Sequence, residues 1–151
     1  EALINNLTTC QIISISGRNK KMNNAFHMLV NKLDCNDRVK ILEYTNKVPE
    51  LMSISNLVVT KPGGLTTSES LASELPMLII NPIPGQEEEN AEFLVAHNVG
   101  VWIKKSDDPN KVIQDLFKNK DKILEMKKNT SLLSKKNSTK DICNLIMNLL
   151  Q

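Results

Sequence analysis

Two adjacent glycines mark the part of this sequence that is best suited to bind an anion. Gly63 and Gly64 follow a short apolar run and lead into a segment with helical character, and Leu65 and Thr66 complete the corner. Glycine lets the backbone approach a ligand closely and adopts dihedral angles that other residues avoid. The first N–H groups of the following helix add a partial positive charge. Since the spacing is not that of a Walker A loop, we predict that backbone groups hold a diphosphate here.

A single carboxylate follows the glycine pair. Glu69 lies near the predicted start of the helix, where it can accept hydrogen bonds from both hydroxyl groups of a ribose. Because Thr66 precedes it by three residues, the pair also matches a capping box, in which Glu69 returns a hydrogen bond to the first N–H of the helix. The residues alone leave both interpretations open, since the two roles compete for the same oxygen atoms.

Residues 81–90 form a second loop whose composition suits a sugar. Two prolines stiffen the loop and Gly85 turns it sharply, so Gln86 and Glu87 are presented side by side. An amide beside a carboxylate can bind the hydroxyl groups of a hexose. Alternatively, Glu87 and the two glutamates after it only occupy the first turn of a helix, where acidic side chains interact favourably with the helix dipole.

An arginine and a tyrosine are the remaining candidates. Arg18 follows Gly17 directly after a predicted strand and is one of two arginines in the chain, and its planar guanidinium suits a phosphate. A surface role for Arg18 fits the sequence equally well. Tyr44, the only tyrosine, also follows a predicted strand. Its ring can cover a nucleobase or fill a partly exposed gap.

Short apolar runs alternate with helical patterns along the first two thirds of the chain. Strands are predicted at residues 10–15, 39–42, 57–60, 77–80 and 99–103, and helices at residues 20–33, 48–53, 67–73 and 87–97. Further helices are predicted from Pro109, with Asp108 as its cap, and from Ser138, with an apolar face over residues 142–150. The alternation predicts one α/β domain over residues 1–151, with a Rossmann-like parallel sheet, helices on both faces and strands buried on both sides. The loops described above meet at the carboxyl edge of such a sheet.

The overall composition is that of an ordinary globular domain. Hydrophobic residues make up 40% and charged residues 24% of the chain, and no apolar run is long enough to span a membrane. The three cysteines form no Cys-x-x-Cys pair, which argues against a zinc site or a disulfide framework. A net charge of +2 gives no indication of a nucleic-acid partner, and none is expected. The lysine-rich residues 104–140 either contact an anionic membrane surface or face solvent.

Four motifs follow one another in a recognisable order. They are Gly-Arg-Asn at residues 17–19, an aromatic residue after the next strand, Lys-Pro-Gly-Gly-Leu-Thr-x-Ser-Glu at residues 61–69, and Pro-x-Pro-Gly-Gln-Glu-Glu-x-Asn at residues 82–90. In this order they resemble the C-terminal lobe of the GT-B glycosyltransferases. More narrowly, the sequence resembles the diacylglycerol glycosyltransferases, which include monogalactosyldiacylglycerol synthase and processive bacterial glucosyltransferases. The transferase that adds GlcNAc to lipid-linked peptidoglycan precursors is a more distant relative.

The resemblance implies a role in binding the donor, a UDP-hexose, for ten residues. They are Arg18, Tyr44, Gly63, Gly64, Leu65, Thr66, Glu69, Gln86, Glu87 and Asn90. By this resemblance, Tyr44 caps the uracil, the backbone of residues 63–66 embraces the diphosphate, and Glu69 holds the ribose. Gln86 and Glu87 read the hydroxyl groups of the donor sugar, with Asn90 close by.

The resemblance also implies what the intact protein does. It transfers a hexose from a UDP-sugar to a lipid hydroxyl, with diacylglycerol as the expected acceptor, and it is a cytoplasmic protein peripheral to the inner face of the cell membrane. The family's N-terminal lobe, which binds the acceptor and supplies the catalytic base, is missing here. The first strand and the glycine-rich turn of the C-terminal lobe are missing as well. This chain alone is therefore expected to be inactive, and neither a metal nor another cofactor is expected.

Three alternatives stay open from the sequence. The chain is a stand-alone donor-binding subunit that needs a partner chain, or it is the donor half of a GlcNAc transferase for lipid-linked peptidoglycan precursors. A regulatory α/β domain without a ligand is the third.

Overall fold

The computed structural model describes residues 1–150, and of Lys120 the backbone only. Helices and strands alternate through the first two thirds of the chain, and three helices follow the last strand. The elements are α1 (Ala2–Asn6), β1 (Ile12–Ile15), α2 (Lys20–Lys32), β2 (Val39–Leu42), α3 (Val48–Ile54), β3 (Val58–Thr60), α4 (Gly64–Ala72), β4 (Met77–Ile80), α5 (Gln86–Ala96), β5 (Gly100–Ile103), α6 (Pro109–Lys118), α7 (Lys120–Leu133) and α8 (Ser138–Leu149).

These elements form two compact units. Unit 1 consists of Glu1–Val48 and Asp107–Lys118, and unit 2 of Pro49–Ser106 and the chain from Asn119 onward. Each unit has a parallel sheet of its own. The predicted single domain over residues 1–151 stays a prediction.

Unit 1 is built on two parallel strands. β1 and β2 pair in register from Ile12 opposite Val39 to Ile15 opposite Leu42. One side of these strands packs against α1 and α2 in an aliphatic core, whose buried residues are Ile4, Val30, Cys35 and Val39. Arg38 ties this core to α1, because its guanidinium donates hydrogen bonds to the carbonyl oxygens of Ile4 (2.7 Å) and Leu7 (2.9 Å) at the C-terminal end of the helix. The second arginine of the chain therefore has a structural role.

Unit 2 contains a three-stranded parallel sheet in the order β3-β4-β5. The central strand β4 is buried over Met77–Ile79, as expected for a four-residue apolar run without polar alternation. α5 packs tightly against the sheet, because a Cβ atom on Gly100 would lie only 3.0 Å from Ile79 Cδ1 and 3.1 Å from Leu94 Cβ. This close approach fixes the position of α5 relative to the strands, and with it the loop that precedes the helix.

The predicted fold class is confirmed: the strands are parallel and helices lie on both faces. All five predicted strands are present, although most elements begin or end one or two residues from the predicted position. The prediction that the strands are buried on both sides holds for β4 and is wrong for β1. In β1, half-buried and exposed positions alternate, and Ile13 and Ile15 are exposed.

Two helix starts differ from the prediction. α4 begins at Gly64, three residues before the predicted start at Thr67, and Gly63 is its N-cap with extended backbone. Thr66 therefore lies inside the helix, and the capping box between Thr66 and Glu69 does not form. Similarly, Ser138 is the first residue of α8 rather than its cap. The start at Pro109 is confirmed, since the Asp108 carboxylate accepts a hydrogen bond from the N–H of Asn110 at 2.9 Å.

The predicted apolar face of α8 is uncovered. The side chains of Ile142, Leu145, Ile146 and Leu149 are between 51% and 78% exposed. Just before this helix, Lys136 Nζ lies 2.6 Å from Glu74 Oε1. Hydrogen bonds from Lys136 and Ser131 hold the pKa of the Glu74 carboxyl below its ordinary value. The ion pair between Lys136 and Glu74 therefore weakens as the pH falls into the range in which Glu74 is protonated.

Among residues 1–150, no helix combines the length and the apolar composition that are needed to cross a membrane.

A buried threonine in unit 2 allows a test of the packing. Thr67 is 9% exposed, and its hydroxyl has no hydrogen-bond partner in the described part of the chain. Thr67→Val should therefore raise the free energy of unfolding by about 1 kcal/mol, because the burial penalty of an unpaired hydroxyl disappears. Thr130 is the matched control, since its hydroxyl is also buried but donates to the Lys127 carbonyl at 2.7 Å. Denaturant unfolding should show a lower free energy of unfolding for Thr130→Val than for the wild type. A loss of stability in both variants would contradict the prediction.

Candidate functional site

The ten predicted site residues fall into two groups, one in each unit. Unit 2 holds Gly63, Gly64, Leu65, Thr66, Glu69, Gln86, Glu87 and Asn90, and unit 1 holds Arg18 and Tyr44. In unit 2, the residues come from two loops that follow neighbouring strands, β3 and β4. Because parallel strands end at the same edge of a sheet, the two loops meet.

The N-terminal end of α4 presents unpaired backbone donors. The first N–H that forms an intrahelical bond is that of Thr67, which donates to the Gly63 carbonyl at 2.8 Å. The N–H groups of Gly64, Leu65 and Thr66 therefore have no partner within the helix. Within residues 1–150, no side chain caps this end. Three open donors and the positive end of the helix dipole make this corner suitable for an anion.

The two glycines are not needed for strained backbone angles, so that part of the prediction is wrong. Gly63 has φ −64° and ψ 151°, and Gly64 is helical, and other residues adopt both conformations. An added Cβ atom would also be accommodated: on Gly63 its nearest neighbour is Glu87 Oε1 at 4.0 Å, and on Gly64 it is Gln86 Nε2 at 4.0 Å. What the glycines provide is open space between the start of α4 and the first residues of α5.

Gln86 and Glu87 border this open space, as the same two distances show. The two carboxylate oxygens of Glu87 have different surroundings. Oε2 accepts a hydrogen bond from the N–H of Ile83 at 2.7 Å, whereas Oε1 faces the open space and is the nearest atom to a Cβ added on Gly63. The turn that allows this bond is made by Gly85, whose φ of 94° strongly favours glycine. Glu87 also lies in the first turn of α5, as the alternative interpretation predicted, and its contact with a sugar stays a prediction.

Asn90 connects the two loops. Its Nδ2 donates a hydrogen bond to the Pro62 carbonyl at 2.8 Å, across 28 residues of sequence. Sequence reasoning placed Asn90 beside the donor sugar, and it missed this contact because no spacing rule relates residues of two different loops. Contact of Asn90 with a sugar stays a prediction.

Glu69 is exposed and free to bind a ligand. It lies on α4, and the capping bond that would have occupied its carboxylate is absent. Leu65, beside the open N–H groups, is 84% exposed. The Leu65 side chain therefore contributes little to the core of unit 2.

In unit 1, Arg18 and Tyr44 are brought together. The Arg18 guanidinium carbon lies 5.4 Å from the centre of the Tyr44 ring, a cation–π distance, and the ring is 68% exposed. Both residues line a cavity of about 290 Å³. Sequence reasoning missed the other side chains of this cavity, which are those of Lys20, Asn23 and Glu43.

The buried Asn23 supports the loop that carries Arg18. Its Nδ2 donates to Ser16 Oγ at 3.0 Å, and Ser16 Oγ in turn donates to the Leu42 carbonyl at 3.2 Å. These two bonds link the ends of β1 and β2, which precede Arg18 and Tyr44. The sequence signal for this role was weak, since Asn23 is a polar residue near the start of an amphipathic helix.

In the part of the chain that the structure describes, no group of three or more His, Cys, Asp or Glu side chains is arranged to hold a metal ion.

A known protein family matches almost the whole chain. The family described as "Glycosyltransferase family 28 C-terminal domain" matches residues 2–146. The processive diacylglycerol beta-glucosyltransferase of Staphylococcus epidermidis is 38% identical over 98% of this chain and 38% of its own length. The enzyme of the same name from Bacillus subtilis is 30% identical over 87% of this chain and 34% of its own length. The chain thus spans little more than a third of these curated relatives.

Two solved structures share the fold. MurG of Acinetobacter baumannii has a TM-score of 0.71 and 19% sequence identity, over 97% of this chain and 46% of that one. HepE of Anabaena, solved in complex with UDP, has a TM-score of 0.65 and 20% identity, over 99% of this chain and 44% of that one. At this level of identity, the likeness confirms the predicted fold and nothing more specific.

A pair of glycine substitutions tests the geometry of the two loops. Gly64→Ala should leave the free energy of unfolding unchanged or raise it by up to about 1 kcal/mol, because alanine is the better helix former and its Cβ meets no close neighbour. Gly85→Ala should lower it by about 1–3 kcal/mol, because φ 94° is strained for any residue with a Cβ. Chemical denaturation measures both. Equal stability of the two variants would contradict the described loop.

Proposed function

The chain belongs to the family of glycosyltransferase family 28 C-terminal domains, and from this premise we propose that it is the donor-binding half of an enzyme that transfers a hexose from a UDP-sugar to a lipid. The observation that carries the proposal is the corner at Gly63 and Gly64. Three open N–H groups, a helix dipole and an uncluttered backbone match the chemistry of a diphosphate.

The same corner suits the departure of UDP. When the bond between the sugar and the diphosphate breaks, negative charge grows on the diphosphate. Backbone donors that are already oriented interact more strongly with this charge than with the bound substrate, and they therefore lower the barrier. In the proposed mechanism, the residues of this chain bind and orient the donor and stabilise the leaving group. The site that binds the acceptor, and the base that deprotonates it, belong to another part of the protein.

Side chains around the corner supply contacts for the rest of the donor. Glu69 has an unoccupied carboxylate on α4, which supports its assignment to the ribose hydroxyls. Gln86 and Glu87 border the open space in front of Gly63 and Gly64, which supports contact with the sugar next to the diphosphate. Because Ile83 holds one oxygen of Glu87, we propose that the other oxygen binds a sugar hydroxyl.

The unit 1 residues are assigned by resemblance. We propose that Tyr44 stacks on the uracil ring and that Arg18, held over Tyr44, contributes positive charge. The exposed ring of Tyr44 supports this assignment, since an exposed aromatic face is available for stacking.

The relatives support the choice of acceptor. The two most similar proteins described above are named for the transfer of glucose to diacylglycerol, and HepE was solved with UDP. We therefore propose a UDP-hexose donor, diacylglycerol as the acceptor and a peripheral location on the inner face of the cell membrane. Since the relatives are more than twice as long as this chain, we propose that an N-terminal lobe binds the lipid acceptor.

Ligand binding tests the proposal directly. UDP at 100 times its Kd should stabilise the chain by about 2.7 kcal/mol, which a thermal unfolding experiment resolves easily. Parallel titrations with UDP-glucose, UDP-galactose and UDP-GlcNAc then identify the sugar, and preference for UDP-GlcNAc would favour the peptidoglycan-precursor enzyme. No stabilisation by UDP at millimolar concentration would contradict the proposal and favour an α/β domain without this ligand.

A carboxylate substitution tests the ribose contact. Glu69→Ala should weaken the binding of both UDP and uridine by roughly 10- to 100-fold, because hydrogen bonds to a charged group contribute about 1.5–3 kcal/mol. The binding of inorganic pyrophosphate should not change, since it has no ribose. Glu92→Ala, at an exposed position of α5, is the control and should bind UDP as the wild type does. Isothermal titration calorimetry measures the affinities for UDP, uridine and pyrophosphate. Unchanged uridine affinity in Glu69→Ala would remove this residue from the site.

A further inference from the structure

We infer that Asn90 is a positioning residue, which braces the start of α4 so that its open N–H groups face the diphosphate. The inference rests on the proposed function and deepens it. The resemblance placed Asn90 beside the sugar, whereas the structure engages its amide with the backbone of the other loop.

The hydrogen bond from Asn90 to the Pro62 carbonyl lies directly before the N-terminal end of α4. The Pro62 side chain is fully buried, and its carbonyl group belongs to the peptide bond that leads into Gly63, the N-cap of α4. This peptide bond is planar and trans, as are all others in the described chain. A hydrogen bond at 2.8 Å to its oxygen therefore restrains the plane of the Pro62–Gly63 peptide, and with it the direction of the Gly63 N–H.

The backbone of the corner has few other restraints. The Gly63 carbonyl accepts the N–H of Thr67, but Gly63 and Gly64 have no side chains, and no side chain of residues 1–150 caps this end of α4. Glycine also has the largest backbone freedom of all residues. Without the bond from Asn90, the Pro62–Gly63 peptide has no other hydrogen bond within residues 1–150, and the Gly63 N–H, which lies next to the three open N–H groups, is no longer held in one direction.

The brace also joins two halves of the proposed site. Asn90 lies on α5, one turn after Gln86 and Glu87, so it connects the residues proposed to read the sugar with the backbone proposed to bind the diphosphate. α5 itself is fixed by its tight packing at Gly100. The position of the diphosphate site is thereby tied to the rigid core of unit 2.

The variant Asn90→Leu removes the donor while keeping a similar side-chain size and adding no charge. We expect its Kd for UDP to rise about tenfold, and its Kd for UDP-glucose to rise by the same factor, because the lost contact supports the diphosphate that both ligands share. The Kd for uridine should stay within about twofold of the wild type. Uridine has no phosphate, so a general loss of folding would weaken it as well.

A matched control exists in the same unit. Asn129 Nδ2 also donates to a backbone carbonyl, that of Asn98 at 3.2 Å, but this contact lies before β5, at the opposite edge of the sheet. Asn129→Leu should therefore bind UDP within about twofold of the wild type. If Asn90→Leu does not fold, Asn90→Ser is the alternative, because the shorter serine side chain no longer reaches the Pro62 carbonyl and stays polar.

Three results would overturn the brace. In the first, a folded Asn90 variant binds UDP as tightly as the wild type and loses affinity only for UDP-glucose, which is the behaviour of a direct sugar contact. In the second, uridine weakens as much as UDP. In the third, the backbone amide signals of Gly63 and Gly64 in the ligand-free variant stay at their wild-type positions in NMR spectra. Failure of the wild type to bind UDP at all would contradict the proposed function instead, and the amide signals still test the brace in that case.

Discussion

Unpaired N–H groups at the start of a helix are the feature on which the rest of this molecule's proposed chemistry depends. Gly64, Leu65 and Thr66 have no intrahelical acceptor, and no side chain in residues 1–150 replaces one. Such groups require water or a ligand. Polar and charged side chains are arranged around this point, with a free carboxylate on α4 and an amide and a carboxylate on α5.

Rigid packing below the corner makes this arrangement possible. β4 is buried, and α5 lies so close to the sheet that a Cβ atom on Gly100 would lie only 3.1 Å from Leu94 Cβ. The loop between β4 and α5 is then closed by two contacts, from Glu87 to the N–H of Ile83 and from Asn90 to the Pro62 carbonyl. These contacts and the packing of α5 against the sheet restrain the backbone around the two glycines.

The order of elements could be predicted from the sequence, because apolar runs of strand length alternate with helical periodicity and glycine or proline separates them. The start of α4 could not, since a glycine pair is typical of a loop, and here the helix extends into it. The bond between Asn90 and Pro62 joins residues 28 positions apart, and no local pattern encodes it. The same holds for the half-exposed β1, whose apolar sequence gives no sign that one side stays uncovered. Local propensity determines the elements, whereas contacts between loops determine the site.

Backbone NMR spectra recorded during a titration with UDP test the central claim most directly. If the start of α4 clasps the diphosphate, the amide signals of Gly64, Leu65 and Thr66 should show the largest shifts in unit 2, and uridine alone should shift them far less. If UDP binds while these three signals stay in place, the anion lies elsewhere, and the account of this corner is wrong.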